Sequence, residues 1–362
     1  SISFLPLHME RLYTPILGLS KEIVLGLPIS TEMLFAATAI ILAGVWLDKR
    51  GWKEPFLCGL MLSGLGTLYS WLAPDSIQFI ASRGVVGLGY GLFWMACQGF
   101  VLVNTGTEKT VQGLAVLFAG IYAGNICGSA AGALLAECIG YSRIFLFGAI
   151  VTFLAAAYSL TFIRDGRGKP EKSVSEKLYG TFSLKAVAKY MTNPSVLGLI
   201  LLSSIPSSLA VIGFLHYFSP LYLHRIGATQ SGIGRVFMIY GICLILIAPT
   251  PTNYIDAAAS KKKFIVIGGL TGSLGLIVFQ LFGGYIAVVA TVLLLGLSGS
   301  FDASRNAYAL NLKVTHELGV GKAIGTLSMG GRIGQVIGPI TLGWLILSVG
   351  LNQATTLLGL IY

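Results

Sequence analysis

The chain has 362 residues, 55% of them hydrophobic and 10% charged, with a mean hydropathy of +0.82 and a formal net charge of +10. A soluble domain carries about 25% charged residues, so this composition excludes a soluble globular protein and points to many membrane helices of ~20 apolar residues each. Stretches such as FIVIGGLTGSLGLIVFQLFGG, from Phe264, do not alternate polar and apolar positions, which excludes the strands of an outer-membrane barrel.

Twelve apolar spans follow in chain order. Span 1 ends near Leu12. Span 2 runs from about Lys21 to Leu47, span 3 from Pro55 to Ala73, span 4 from Ser76 to Val103, span 5 from Thr110 to Ala136 and span 6 from Ser142 to Ile163. A polar stretch, Arg164 to about Thr192, separates these from span 7 (Pro194 to Leu223), span 8 (Ser231 to Ile255), span 9 (Phe264 to Phe282), span 10 (Tyr285 to Leu312) and span 11 (Val320 to Val349). Span 12 starts near Gln353. The expected domains are residues 1–163, a linker at 164–192, and residues 193–362.

Most of the 24 lysines and arginines fall in loops 2–3, 4–5, 6–7, 8–9 and 10–11, among them Lys49, Arg50, Lys53, Lys109, Arg164 and Lys261 to Lys263. The alternate loops hold few, such as Arg11, Lys21, Arg143 and Arg225. By the positive-inside rule the first set is cytoplasmic, most simply in a bacterial inner membrane. The basic charge then reflects topology and contact with anionic lipids rather than nucleic-acid binding. In the linker, SLKAVAKYM places Leu184, Val187 and Met191 on one helical face and Lys185 and Lys189 on another. It is either a helix along the membrane surface or a solvated linker. The five cysteines are an odd set in or at the ends of spans and read as small apolar residues.

The chain repeats itself. FLPLHMERL at Phe4 returns as FSPLYLHRI at Phe218; Asp48 and Asp256 each follow the second span of their half; and Gly124, Gly128 and Gly140 match Gly334, Gly338 and Gly350 at a constant offset. Two halves with an even number of helices each point the same way, the parallel repeat of rocking transporters. FSPLYLHRI ends a full span, so by comparison span 1 is expected to begin before Ser1 and span 12 to continue past Tyr362.

The stretch GVWLDKRGWKE, Gly44 to Glu54, resembles the loop 2–3 signature of the major facilitator superfamily: a glycine, an aspartate, then Arg-Gly and a further basic residue, here Gly44, Asp48, Arg50, Gly51 and Lys53. Gly44 would let span 2 approach a neighbour, and Asp48 would latch the cytoplasmic side by bonding a helix N-terminus or a basic residue. SRGVVGLGYG in span 4 is similar to the family's arginine followed by spaced glycines. Span 5 carries Gly120, Gly124, Gly128 and Gly132 at every fourth position, which resembles the family's antiporter motif, although Ser129 stands where that motif has proline. Close helix packing by these glycines and by Gly334 and Gly338 explains them equally well. The resemblance covers nearly the whole chain. It implies an all-α membrane fold of twelve helices in two parallel six-helix bundles, and secondary active transport by alternating access around a cavity lined mainly by spans 1, 4, 7 and 10.

Charges inside a membrane are usually paired or functional. Glu32 lies 16 residues before Asp48, ~24 Å along the helix, at a depth similar to Arg83 in span 4. The two form either a fixed pair or a proton-carrying site centred on Glu32. In the second half, Asp302 is the matching acid, with Arg305 or Arg332 as its expected partner. Surplus in-span arginines, Arg83 and Arg332 among them, suit an anionic or zwitterionic substrate. Tyr90, Trp94 and Gln98 form one stripe on span 4, joined as binding candidates by Tyr122, Asn125, His216 and Tyr217. An aromatic stripe is also what ordinary packing produces, and the lone histidines His8 and His216 read first as satisfied helix residues.

No phosphate loop, metal-ligand cluster or serine nucleophile motif occurs, so neither a cofactor nor an enzymatic activity is expected. The partners expected are the bilayer, a small-molecule substrate and protons, with the chain a monomer unless joined to another module. Proton-coupled export of a small amphipathic organic compound is the expected function. Uptake or exchange of an organic anion is the alternative, and a ligand-sensing or scaffold module of a larger membrane protein is the reading from another class.

Overall fold

The computed structural model describes residues 4–16, 18–162, 184–247, 250, 251, 254, 255, 258, 260–318 and 320–362. Within these helices, side chains at some positions, including Asp48, Tyr122 and Asn125, lie outside the described residues. All regular structure among the described residues is helical, and 9 helices among them are long and apolar enough to cross a membrane. The chain divides into two compact units, residues 1–124 with 134–176, and residues 125–133 with 177–362.

In the first unit, spans 2, 3 and 6 are the helices Lys21–Arg50, Lys53–Leu72 and Tyr141–Phe162. Span 2 runs beyond Leu47 until Gly51, whose φ of +79° ends the helix while its amide donates to the Leu47 carbonyl. Glycine adopts that left-handed conformation without the penalty a Cβ brings. The sequence predicts a turn between spans 4 and 5. The backbone keeps helical geometry through that reversal, from Ser76 to Ile139, and no proline in residues 104–110 interrupts it. A straight helix of these 64 residues would be ~96 Å long. Both of its ends nevertheless lie at the same end of the unit. Ser76 Oγ donates to the Leu12 carbonyl at 2.9 Å, and Tyr141, just past the helix, lies under the Arg11 guanidinium, 4.5 Å from ring centroid to Cζ. The run therefore doubles back and makes two crossings.

In the second unit, span 7 is Pro194–Arg225, span 8 Gln230–Ile247, span 9 Lys261–Phe282 and span 10 Gly284–Leu310. Val320–Val349 is span 11, and Leu351–Ile361 lies where span 12 was expected. Asn193 caps span 7 by accepting from the Ser195 amide at 3.1 Å, and Pro194 fits the first turn because it has no amide to leave unpaired.

Glycine sets how closely these helices approach. A Cβ on Gly87 would collide with the Glu32 carbonyl and one on Gly91 with the Ala36 carbonyl, so spans 2 and 4 touch backbone to backbone. In the second unit, a Cβ on Gly338 would stand 2.9 Å from the Leu209 carbonyl, and one on Gly334 would strike the Ile205 carbonyl, which places span 11 against span 7. The glycines of span 5 differ from the expectation. A Cβ on Gly120, Gly124 or Gly128 would meet no atom within 4 Å, because that helix face is exposed; Gly132 beside them is half-buried. Gly44 likewise has open space beside it rather than a neighbouring helix.

The linker reading is refined as well. The helix Leu184–Met191 ends on Tyr190, which is fully buried among Val196, Leu199, Ala309, Leu318 and Leu327. Lys189 pairs with Glu317 at 3.0 Å on the surface beside it. The last turn of this helix is therefore packed into the second unit. Residues 163–183 and the side chains of Leu184, Lys185 and Val187 lie outside the described residues. Burial pushes the Tyr190 hydroxyl above its ordinary pKa of 10.0, opposed in smaller measure by a contact with the Thr315 side chain.

Two outcomes are expected in thermal melts of the purified protein. Gly87→Ala overpacks the span 2–span 4 contact and loses about 1–3 kcal/mol, whereas Gly124→Ala stays within about 0.5 kcal/mol. Tyr190→Ala loses about 3 kcal/mol or more, while Tyr190→Phe keeps the buried ring and loses about 1 kcal/mol or less; equal losses in both variants would contradict the packing described.

Candidate functional site

The contact between spans 2 and 4 places a charge pair. Arg83 lies one turn before Gly87, and Gly87 rests on the backbone of Glu32. The two side chains meet across that seam: Arg83 Nη2 donates to Glu32 Oε2 at 2.6 Å and Nε donates to the same oxygen at 3.1 Å. Both residues are buried, Arg83 at 0% and Glu32 at 3% relative exposure. Span 3 supplies a third group. Arg83 Nη1 points to Ser70 Oγ at 3.4 Å, and Ser70 shares a 2.8 Å hydroxyl contact with Ser82. Ser70 and Ser82 were not singled out in the sequence. The signal was present, since a hydroxyl in an apolar span at the depth of an arginine is a candidate partner.

This pair joins three helices through one guanidinium. Taking two ions out of water costs several kcal/mol each, which their attraction roughly offsets. Removing one partner leaves the other uncompensated, and that is where such a pair exerts its control. In this arrangement Arg83 is engaged by Glu32 and Ser70 and is not presented to a ligand, which departs from its expected place among the substrate-binding residues.

The other candidates are distributed as follows. Tyr90 and Trp94 stack obliquely with ring centroids 5.8 Å apart, and Gln98 continues their stripe; all three are partly buried. Tyr122 and Asn125 lie outside the described residues. In the second unit, His216 packs on Phe237 at 5.2 Å and its Nδ1 has no hydrogen-bond partner, against the expectation of a satisfied histidine. His8 likewise leaves Nδ1 unpartnered, its ring 5.0 Å from both Phe79 and Phe145. Tyr217 is fully buried and so differs from the expectation of a cavity-facing residue. Asp302 pairs with Arg305 one turn along, and Arg305 also donates to Ser207 at 3.0 Å. Arg332 donates to Gln335 at 2.8 Å. A cavity of about 740 Å³ has Asp302, Arg305, Lys262 and Tyr308 in its wall, but not His216, Tyr217 or Arg332.

At the loop 2–3 signature, Arg50 pairs with Glu54 at 3.3 Å and the Trp46 indole donates to the same carboxylate at 3.2 Å. Glu54 was not foreseen as a partner; it stands in the first turn of span 3, and the sharp turn at Gly51 brings it back to Arg50 at the end of span 2. Lys53 opens the next helix, and the side chain of Asp48 lies outside the described residues. The five cysteines are free, with Cys127 and Cys138 exposed on apolar helices rather than buried.

Comparison with known proteins gives this geometry its setting. The model of the Major Facilitator Superfamily matches residues 2–301. The chain belongs to that superfamily. A protein named multidrug resistance protein MdtG from Salmonella choleraesuis (strain SC-B67) is 26% identical over 271 residues, covering 73% of this chain and 64% of that protein's own length. The same-named protein of Salmonella arizonae matches to the same extent. The match thus spans less than two thirds of these relatives. Among solved structures, a POT family transporter in complex with 5-aminolevulinic acid superposes with a TM-score of 0.75 at 14% identity, over 99% of this chain and 89% of the other. A D-xylose-proton symporter superposes at 0.71 and 14% identity, over 99% and 92%. At such identities the likeness concerns the fold: this superfamily member has the all-α, twelve-helix, multi-pass membrane architecture.

The buried pair makes a stability prediction. Arg83→Gln strands the Glu32 carboxylate and is expected to cost about 3–5 kcal/mol, read as a lower melting temperature in detergent. The double variant Glu32→Gln/Arg83→Gln is expected to recover a substantial part, and no recovery would mean that the two charges are not coupled.

Proposed function

We propose that this chain is a secondary active transporter that works by alternating access and exports a small amphipathic organic compound in exchange for protons. The observation that carries the proposal is the Glu32–Arg83 pair, buried between three helices of the first unit. A proton arriving on Glu32 removes its charge and releases Arg83, whose uncompensated guanidinium then favours a different packing of spans 2, 3 and 4. A deprotonated Glu32 restores the clasp. The name of the MdtG relatives, multidrug resistance protein, supports drug-like organic compounds as the class of substrate. Asp302, paired with Arg305, is the corresponding acid of the second unit in this proposal.

Within the same reading, Tyr90, Trp94 and Gln98 of span 4, with Tyr122, Asn125, His216 and Arg332, contact the compound, and their aromatic bodies with polar tips suit an amphipathic molecule. The basic loops lie on the cytoplasmic side of a bacterial inner membrane, where Asp48, Arg50 and Lys53 latch the closed inner face. Rocking of the two units then alternates access to the site.

The test uses the purified chain in liposomes loaded with a pH dye, with a panel of amphipathic cations and organic anions, wild type beside Glu32→Gln. Expected is compound-driven proton movement that Glu32→Gln abolishes. Flux without proton movement, unchanged in the variant, would instead establish anion exchange or facilitated diffusion and reduce Glu32 to a structural partner of Arg83.

A further inference from the structure

Span 7 is not a uniform α-helix. Between α-helical stretches, residues Ile200–Ser204 and Val211–Phe218 form wider turns in which the amide reaches back five residues rather than four. The Ile205 amide donates to the Ile200 carbonyl and the Ser219 amide to the Phe214 carbonyl. Each wide turn ends two residues before a proline, Pro206 or Pro220. The cause is local: proline has no amide and its ring collides with the carbonyl four residues back, here Leu202 and His216, and both of those carbonyls lie in a wide turn. Such turns inside membrane helices are uncommon and concentrate at functional positions.

Both ends of span 7 are fastened. Toward Pro194, Val196, Leu199 and Ile200 are buried in one core with Tyr190, Leu318 and Leu327, and in mid-helix Ile205 and Leu209 lie against the bare backbone of Gly334 and Gly338 in span 11. Toward Arg225, the Tyr222 hydroxyl accepts from the Gly284 amide at 2.7 Å, and the Tyr222 ring packs 5.0 Å from Phe279. A helix held at both ends cannot turn as a whole. A one-residue excess within it, however, can move along the helix and turn only the residues it passes. Each of those turns by ~100°, one residue of an α-helix. His216 and Tyr217 stand in that region. A shift of one position turns both neighbours in the same sense, so that one takes the direction the other held and the second moves on by the same angle; in the present register His216 Nδ1 is left without a partner while Tyr217 fills the core. Gly213, inside the wide turn, meets the Gly338 carbonyl with no side chain on either residue to obstruct the backbone.

We propose that span 7 has two registers, in which the wide turn between Val211 and Phe218 migrates while both ends stay fixed, so that His216 and Tyr217 turn together by ~100° and present a different surface. Its purpose rests on the transport reading, as a switch of the surface that span 7 offers to a compound; its existence does not.

The test is hydrogen–deuterium exchange read by mass spectrometry on the full chain in lipid nanodiscs, wild type beside Pro220→Ala. Migration breaks the amide bonds of 211–218 in turn, so these amides are expected to exchange about tenfold faster than those of 205–210, which stay packed on span 11. Alanine at 220 restores an amide able to donate to the His216 carbonyl, and is expected to slow exchange in 211–218 by about tenfold. Equal exchange in the two stretches of the wild type overturns the proposal, and that comparison needs no variant to fold. Unchanged exchange in a folded Pro220→Ala overturns it as well. No transported compound enters the measurement, so its failure leaves the transport reading standing, and a failed liposome assay leaves this result standing.

Discussion

A carboxylate and a guanidinium placed inside a bilayer have no water to turn to. Glu32 and Arg83 must therefore face each other, and the surrounding helices are arranged so that they do. The pair sits where Gly87 and Gly91 let span 4 lie directly on the backbone of span 2. Larger residues at those glycines would push the helices apart and lengthen the 2.6 Å contact. Ser70 brings span 3 into the same cluster. Packing and electrostatics are thus one arrangement: the close approach makes the pair possible, and the pair fixes the register of the approach. A group whose protonation would undo this arrangement is well placed to couple a proton to helix movement.

The two halves hold comparable positions by different chemistry. In the first, the Ser76 hydroxyl donates to the Leu12 carbonyl and accepts from the Thr14 amide at 2.8 Å, which joins the end of span 1 to the start of span 4. In the second, the Tyr222 hydroxyl accepts from the Gly284 amide and joins the end of span 7 to the start of span 10. A repeat that conserves places rather than side chains is what a shared backbone architecture allows, since each free amide or carbonyl at a helix end accepts any donor or acceptor within reach. The prolines beside these ends add a further constraint. In span 7 they widen the preceding turns, and a helix fixed at both ends confines any rearrangement to its interior.

The apolar runs, the repeat and the signature at Gly44 to Lys53 made the fold class and the family legible before any coordinates, because a bilayer imposes a length and a hydropathy on every crossing. Glu32 and Arg83 were also visible as partners, since few other charges lie at their depth. Less visible was the continuity of Ser76–Ile139, where a polar stretch reads as a turn but contains no proline to interrupt the helix. The glycines of span 5 were misleading for a related reason. A glycine every fourth residue shows that one helix face is smooth, but not that another helix rests on it, and here Gly120, Gly124 and Gly128 face open space. Tyr190 was hidden in a segment of mixed polarity whose docking depends on residues of spans 7, 10 and 11, far away in sequence.

The sequence by itself determined how many times the chain crosses the membrane, which loops are basic and that Glu32 and Arg83 lie within apolar spans, because each of these follows from the composition of a continuous segment in a uniform apolar solvent. The tertiary structure decided which partner each charged group takes. Asp302 took Arg305 on its own helix and not Arg332, Arg50 took Glu54, and Arg83 gained Ser70 from a third helix. Those choices turn on distances of an ångström or two between helices, set by where a side chain is missing and a backbone can come close.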